Sequence, residues 1–514
     1  MSQVTLIRPP SLFSPSAVTL SATPPISLVY LAGSLVAAGH EVELIDAVGE
    51  AIDQVYASGI ADLKANGLTN DEIVARISPE TQVVGISCLF THEWPNIRVL
   101  AKAIRARFPE VLLICGGEHV SAEPQYSLED CPQIDCAVLG EGEETLVELV
   151  RAISRGESWH GVEGIAYRDG VEVVCTSRRN RIRAIDDIPL PRWDLAPLKS
   201  YLDKGLSFGV NRGRTIPMLA TRGCPFQCTF CSSPQMWTTR WVARSPVLVV
   251  EEIKSYIRDY GVTNIDFYDL TAVVRRDWVI DFCKLLIEED LNITWQLPSG
   301  TRSEAIDSEV ATLLFQSGCT NLSYAPESGS PRVLKEIKKK VDLGRMIDSM
   351  RDAVHSGINV KANIIIGFPS ETHGDIWRSF LFIARAALTG LNDVSIWVYS
   401  PYPGCSLFAE LREKGKIGEF NDDYFVSLLS YADLKNVTSW NDELSGSMLK
   451  YYRIFGMLMF YGVSYLSNPL RFFRTVRNLL RNKHESRLEM TLSVYLKRFG
   501  FGRAPQIKTT GSVG

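Results

Sequence analysis

The chain lacks a basic leader followed by an apolar segment. Met1-Ser-Gln-Val-Thr-Leu-Ile-Arg8 enters a strand-like run at once, which argues against a secretory signal and leads us to expect a cytoplasmic protein. It also lacks a strong charge of either sign. Its 54 Lys and Arg stand against 59 Asp and Glu, a formal net charge of −5, and nothing in that balance points to nucleic acid. No internal repeat or extended low-complexity tract occurs, which excludes a repeat array, and only the final dozen residues are expected to be disordered. Ile454–Leu466 is thirteen residues without a charge, short of the roughly 20 apolar residues a membrane-spanning helix needs. Eleven cysteines in 514 residues are too sparse for a disulfide framework. Cys88, Cys115, Cys136, Cys175, Cys283 and Cys319 sit among apolar neighbours and read as small core residues.

What is present is the composition of a globular protein, 46% hydrophobic and 22% charged, in a chain too long for one core. Over residues 1–155 short apolar runs (Val4–Ile7, Glu41–Ile45, Val83–Ser87, Val111–Cys115, Cys136–Leu139) alternate with helix-length segments, the pattern of a doubly wound, Rossmann-like α/β domain. Residues 156–204 read as a β-ribbon around Asp169-Gly170 and a proline-rich linker. From 205 to 415, six strand-like runs at 216–220, 263–268, 293–297, 320–325, 359–366 and 393–399 alternate with helices, which suits a partial (β/α)6 barrel of the TIM type. Residues 416–514 are expected to form a helical C-terminal domain.

The most informative motif is Thr221-Arg-Gly-Cys-Pro-Phe-Gln-Cys-Thr-Phe-Cys231. Its C-x3-C-x2-C spacing puts three soft thiolates, Cys224, Cys228 and Cys231, on one short loop after the first barrel strand. They could hold three irons of a [4Fe-4S] cluster and leave the fourth open, or form part of a zinc site, or simply be buried. With Gly223, Pro225 and Phe230 beside them, these residues resemble the signature of the radical SAM superfamily. The resemblance implies S-adenosylmethionine (SAM) on the open iron, cleaved to a 5'-deoxyadenosyl radical.

Residues 1–155 resemble the cobalamin-binding domain that precedes the radical SAM core in one large subfamily. The likeness rests on Pro24–Ala32, Val84-Gly-Ile-Ser87, Gly116-Gly-Glu-His119 and Leu139-Gly-Glu-Gly-Glu-Glu144. It implies cobalamin contacts from Gly116, Gly117, His119, Gly140, Glu141 and Gly142. None of the seven histidines has Asp two before and Gly three after it, so the Asp-x-His-x-x-Gly source of a cobalt ligand is absent and base-off cobalamin without histidine on cobalt is expected. His119 is then expected to line the corrin or nucleotide-loop pocket; the alternatives are a hydrogen-bonded loop histidine and a domain that no longer holds cobalamin.

In the barrel, Pro326-Glu-Ser-Gly329 resembles the segment whose carboxylate meets the SAM ribose, which nominates Glu327, and Ile364–Pro369 resembles the turn near adenine, which nominates Gly367 and Pro369. Arg302 could face the SAM carboxylate. At Phe267-Tyr-Asp-Leu-Thr271 the family's Gly-Gly-Glu is missing, leaving Asp269 as the acidic candidate for the SAM ammonium. Tyr399 or Tyr402 could face substrate or simply pack. The resemblance implies methylation of an unactivated carbon of a biosynthetic intermediate through methylcobalamin and the 5'-deoxyadenosyl radical. Oxidative cyclisation or ring rearrangement, as in the anaerobic magnesium-protoporphyrin monomethyl ester cyclase group, is the alternative, and a non-enzymatic cobalamin sensor is a third. No general base is required on the radical path. Expected partners are a small-molecule or lipid-like substrate and an electron donor such as flavodoxin or ferredoxin. Residues 471–503 carry nine Lys or Arg against two Glu, so the C-terminal region either contacts a membrane peripherally or caps the barrel with a solvated charged face.

Overall fold

The computed structural model describes residues 2–17, 22–302, 305–433, 435–481 and 483–498. The final dozen residues, expected to be disordered, and the end of the basic C-terminal stretch lie outside the described residues.

The first sheet runs, edge to edge, Glu41–Asp46, Gln3–Arg8, Val83–Ser87, Leu112–Gly116 and Cys136–Val138, all parallel, then Ile165–Asp169 and Glu172–Cys175, both antiparallel. Parallel strands covered on both faces read as unbroken apolar runs, as Val4, Leu6, Ile7, Val83, Val84 and Ile86 do. Ile26–Ala37 and Gly142–Ser154 cover one face and Trp94–Arg107 the other. The ribbon assigned by sequence to the interdomain region extends this sheet, and Cys175, expected in the core, is exposed on its last strand because no further strand among the described residues covers that edge. Chain order reverses between Gln3–Arg8 and Val83–Ser87. At that switch point neighbouring connections leave to opposite faces and open a crevice at the strands' carboxyl ends.

The second sheet follows chain order: Thr215–Met218, Asn264–Phe267, Thr294–Thr301, Cys319–Glu327, Asn359–Ile366 and Asp393–Val398, all parallel. First and sixth strands do not pair, so the barrel is partial. In the fifth strand half-buried Lys361, Asn363 and Ile365 alternate with buried Val360, Ala362, Ile364 and Ile366, so the inward side is an open lumen while the outward side packs on helices. The helix Gly446–Ser467 lies along the sixth strand and covers the open edge.

The connector between the sheets is packed rather than free. Trp193, buried, donates its Nε1–H to Tyr256 Oη at 3.1 Å in the first barrel helix, Pro246–Tyr260. Tyr201 donates to Asp46 Oδ2 of the first sheet at 2.6 Å. Two buried aromatic anchors on one short segment hold the two units in register.

Candidate functional site

The cysteine loop is closed at its root by a two-residue ribbon, Thr221–Arg222 against Val242–Ala243. Gly223 turns the chain into the loop with φ +83°, and a Cβ there would lie 2.1 Å from the Arg240 carbonyl oxygen, so no other residue fits. Further in, Thr229 N donates to Ile337 O (3.0 Å), Leu407 N donates to Thr229 O (2.9 Å) and Cys231 N donates to Cys228 O (3.2 Å). Burial pushes the Cys231 thiol up to about 12 and raises that of Cys228, the nearby Lys339 ammonium opposing the latter; both thiols also feel Cys224. Among the described residues no three His, Cys, Asp or Glu side chains converge on one point as ligands of a single ion would. The C-x3-C-x2-C set itself suits a cluster, whose three cysteines each take a different iron.

Charged groups gather on one side of this loop. Arg302, buried, lays its guanidinium over the Phe226 ring, 3.3 Å from the centroid, within the motif itself. Glu327 ends the fourth strand with φ +64°, a left-handed conformation that a non-glycine residue holds only when its surroundings impose it. Its carboxylate meets Lys339 Nζ at 2.9 Å, both side chains nearly dry. Burial alone would lower the Lys339 ammonium; Glu327 and Cys228 outweigh that and raise it. Gly367 and Pro369 lie on the turn after the fifth strand. Gly367 N donates to buried Glu371, and Phe368 packs edge-on against Phe230 of the cysteine loop at 5.6 Å and against Tyr399 at 5.3 Å. Tyr399 is therefore a packing residue.

Two sequence assignments meet different surroundings. Asp269 accepts hydrogen bonds from Thr221 Oγ1 (2.5 Å), Thr221 N and Ala220 N (3.3 Å), and burial raises its carboxyl to about 6 against those bonds. Its oxygens are committed to the root of the cysteine loop instead of an open SAM pocket. Glu141, assigned to cobalamin, is committed to a latch: it takes Arg181 Nε at 3.2 Å and Arg222 Nη1 at 3.3 Å, while Glu143 takes the other arm of Arg222. Arg181 continues to the carbonyls of Trp237 and Arg240, both at 2.7 Å. The Gly-Glu-Gly-Glu turn of the first unit thus grips the residue that precedes Gly223-Cys224.

At the switch-point crevice Leu89 and Phe90 are 45% and 48% exposed, an apolar floor that suits one face of a large planar ligand. Gly117, φ +125°, lets the chain after Leu112–Gly116 pass Cys88 closely; a Cβ would lie 2.3 Å from the Cys88 carbonyl oxygen. Gly116 stands beside it at the strand end, Gly140 donates its N–H to Ser121 Oγ at 3.0 Å, and Gly142 begins the helix Gly142–Ser154. His119 departs from expectation. It is fully buried, enclosed by Trp94 (4.7 Å), Phe425 (5.8 Å) and Tyr126 (6.4 Å), with neither ring nitrogen hydrogen-bonded among the described residues, and burial lowers it to about 3. It neither lines an open pocket nor makes the loop hydrogen bond. Next to it, Glu118 accepts from Ser232 Oγ, the residue after Cys231, and a Cβ on Gly404 would touch Ala122 and Ser232. Crevice, cysteine loop and the turn Pro401-Tyr-Pro-Gly404 after the sixth barrel strand therefore meet at one place.

Sequence reasoning missed Lys339, Arg181, Arg222, Glu118 and Ser232 as site residues. Lys339 sits in Lys338-Lys339-Lys340, which reads as a solvated run, and the others have partners more than 39 positions away. Leu89-Phe90, directly after a strand at the switch point, carried a usable signal.

The description "B12 binding domain" matches residues 16–150, and "Radical SAM superfamily" matches residues 218–383. An uncharacterized methyltransferase of Pyrococcus horikoshii is 30% identical over 88% of this chain and 91% of its own. The anaerobic magnesium-protoporphyrin IX monomethyl ester cyclase of Cereibacter sphaeroides is 29% identical over 87% of this chain and 69% of its own. Among solved structures, the cobalamin-dependent S-adenosylmethionine radical enzyme OxsB, with aqua-cobalamin and S-adenosylmethionine bound, superposes with a TM-score of 0.69 at 16% identity, covering 97% of this chain and 75% of that one. That last likeness is one of fold.

Proposed function

The chain belongs to the radical SAM enzymes that carry a B12-binding domain, and from that premise we propose that it methylates an unactivated carbon of a small, largely apolar biosynthetic intermediate. The observation that carries this reading is the latch. Arg222 between Glu141 and Glu143, with Glu118 on Ser232, turns the crevice of the first sheet toward the cysteine loop, so a methyl carrier and a radical source would share one chamber.

Cys224, Cys228 and Cys231 would hold the cluster, and Leu89 with Phe90 would support the corrin. When bound, the cluster with SAM supplies a carbon-centred radical and cobalamin supplies the methyl group. The chain's own residues bind, orient and exclude water. Glu327, aimed by Lys339, would take the ribose hydroxyls; Arg302, steadied on Phe226, would take the SAM carboxylate; Gly367 and Pro369 would shape the adenine side. Substrate would enter the lumen, where half-buried Ile365 and Trp397 offer apolar surface and Asn363 Oδ1 is buried without a hydrogen-bond partner among the described residues. An electron donor such as flavodoxin or ferredoxin would reduce the cluster.

The cyclase relative, 29% identical over most of this chain, gives a second reading, ring closure or rearrangement from the same cofactors. The test is anaerobic reconstitution with iron, sulfide and cobalamin, then incubation with methyl-deuterated SAM and candidate intermediates. Methylation yields S-adenosylhomocysteine and 5'-deoxyadenosine together and a deuterated product. Deoxyadenosine alone supports the cyclase reading. Neither product, with cofactors loaded and substrate present, overturns both. Cys224→Ala, Cys228→Ala and Cys231→Ala should each lose the cluster and all SAM cleavage.

A further inference from the structure

The C-terminal helix Pro469–Leu480 is amphipathic, but its faces are reversed relative to a helix that caps a core. Its polar side faces inward. Arg471 Nη1 donates to Leu391 O and Ser464 Oγ, each at 2.9 Å, Arg474 pairs with Glu485 at 2.6 Å, and buried Asn478 donates to Glu489 at 3.0 Å. Arg471 fastens the helix to the loop before the sixth strand, at the amino-terminal end of the barrel, and the two acidic pairs fasten it to the segment that follows. Its apolar side faces out: Leu470 is 76% exposed, Phe473 65% and Leu480 84%. An ordinary surface helix turns its apolar stripe to the core, so this orientation leaves a stripe in need of cover.

The exposed stripe continues onto neighbouring helices. Leu458 and Leu466 on Gly446–Ser467 are exposed, and so is Leu381 on His373–Leu388, with Trp377 and Phe455 in ring contact at 5.5 Å between those two helices. The cations expected to meet lipid divide into two groups. Arg471 is turned to the barrel and Arg474, though exposed, is paired with Glu485, whereas Arg477, Arg481 and Lys483 are exposed and have no acidic partner among the described residues. Among the described residues no helix is long and apolar enough to cross a membrane.

We propose that this face docks on an anionic lipid bilayer, with Pro469–Leu480 lying in the interfacial plane, Phe473 and Leu480 among the acyl chains, and Arg477 and Arg481 at the lipid phosphates. Apolar residues flanked by cations match the layered chemistry of that interface. A second copy of this chain is the poorer occupant, because self-pairing would oppose Arg477, Arg481 and Lys483 of one molecule to the same charges of the other.

The test is flotation of the full chain with vesicles of phosphatidylcholine alone or with phosphatidylglycerol, alongside light scattering without vesicles. We expect recruitment to the anionic vesicles and at least about tenfold weaker binding to the neutral ones. The double substitution Arg477→Gln and Arg481→Gln should weaken binding about twenty-five-fold, near fivefold per charge. Leu470→Ser, Phe473→Ser and Leu480→Ser together should abolish it with the circular dichroism unchanged. Absence of wild-type binding, binding indifferent to both sets, or a dimer that the serine set dissolves in a protein that ignores vesicles would each overturn the proposal. Vesicle binding is read without turnover, so its failure leaves the methylation reading standing.

Discussion

Replacing Arg222 with Met keeps the apolar stem and removes the guanidinium shared by Glu141 and Glu143. The three side chains are 8%, 7% and 10% exposed, so little water can take its place. At 3.3 Å and an effective dielectric constant of about 20, the attraction between Arg222 and Glu141 alone is about 5 kcal/mol before desolvation is counted. Desolvation of the partners offsets much of that in the native protein. Truncation is different, because it strands a carboxylate in the interior. Glu141 keeps Arg181 at 3.2 Å, which leaves Glu143 as the stranded charge. We therefore expect a loss of about 3 kcal/mol, the low end for breaking a buried pair from one side. The assay is the urea midpoint of anaerobically purified, reconstituted protein followed by tryptophan fluorescence, with iron content as a second readout because Arg222 directly precedes the first cysteine turn. Adding Glu143→Gln replaces the stranded carboxylate by an amide and should recover at least about 1 kcal/mol. An Arg222→Met protein within about 0.5 kcal/mol of the parent, or a double variant as weak as the two singles summed, would refute the latch.

Gly223→Ala should fail to assemble the cluster, since its Cβ would lie 2.1 Å from Arg240 O at a φ of +83°; normal iron content would show that the loop can relax. Lys339→Met should strand buried Glu327 and weaken SAM binding about tenfold or more in equilibrium dialysis, with Lys339→Arg recovering part of it; unchanged binding would remove the pair from the SAM site. Burial pushes the Glu371 carboxyl up to about 8. Its favourable contribution is full below the ordinary carboxylate range, near pH 4.5, and is lost as pH rises to 8, because the native state holds a proton the unfolded chain has released. Glu371→Gln should flatten the fall in stability between pH 6 and about 8 and raise the denaturation midpoint at the alkaline end; an unchanged profile would count against that burial effect.

Much of the fold was legible because it is written in short-range patterns. Strand and helix periods located both sheets within a few residues, and the spacing of Cys224, Cys228 and Cys231 is complete inside eight residues, so motif and supporting strand could be read together. The ribbon at 165–175 was legible as a ribbon, but its membership of the first sheet was not, since pairing with Cys136–Val138 depends on a partner about thirty positions away. Likewise the amphipathic period of Pro469–Leu480 was plain, whereas which face turned outward was decided by Arg471 reaching carbonyls on a distant barrel loop.

The site divides along the same line. Sequence by itself determined the two cofactor-type modules, the cysteine triad and the order of strands that places it, because each is encoded by residue type at fixed local spacing. Only the tertiary structure decided what the charged residues do. Asp269 serves Thr221, Glu141 serves Arg222 and Arg181, Lys339 serves Glu327, and His119 is sealed among aromatic rings. A carboxylate or ammonium carries no mark of its partner; burial settles the choice, since a charge taken out of water must find the opposite charge or a set of donors that the folded chain brings to it.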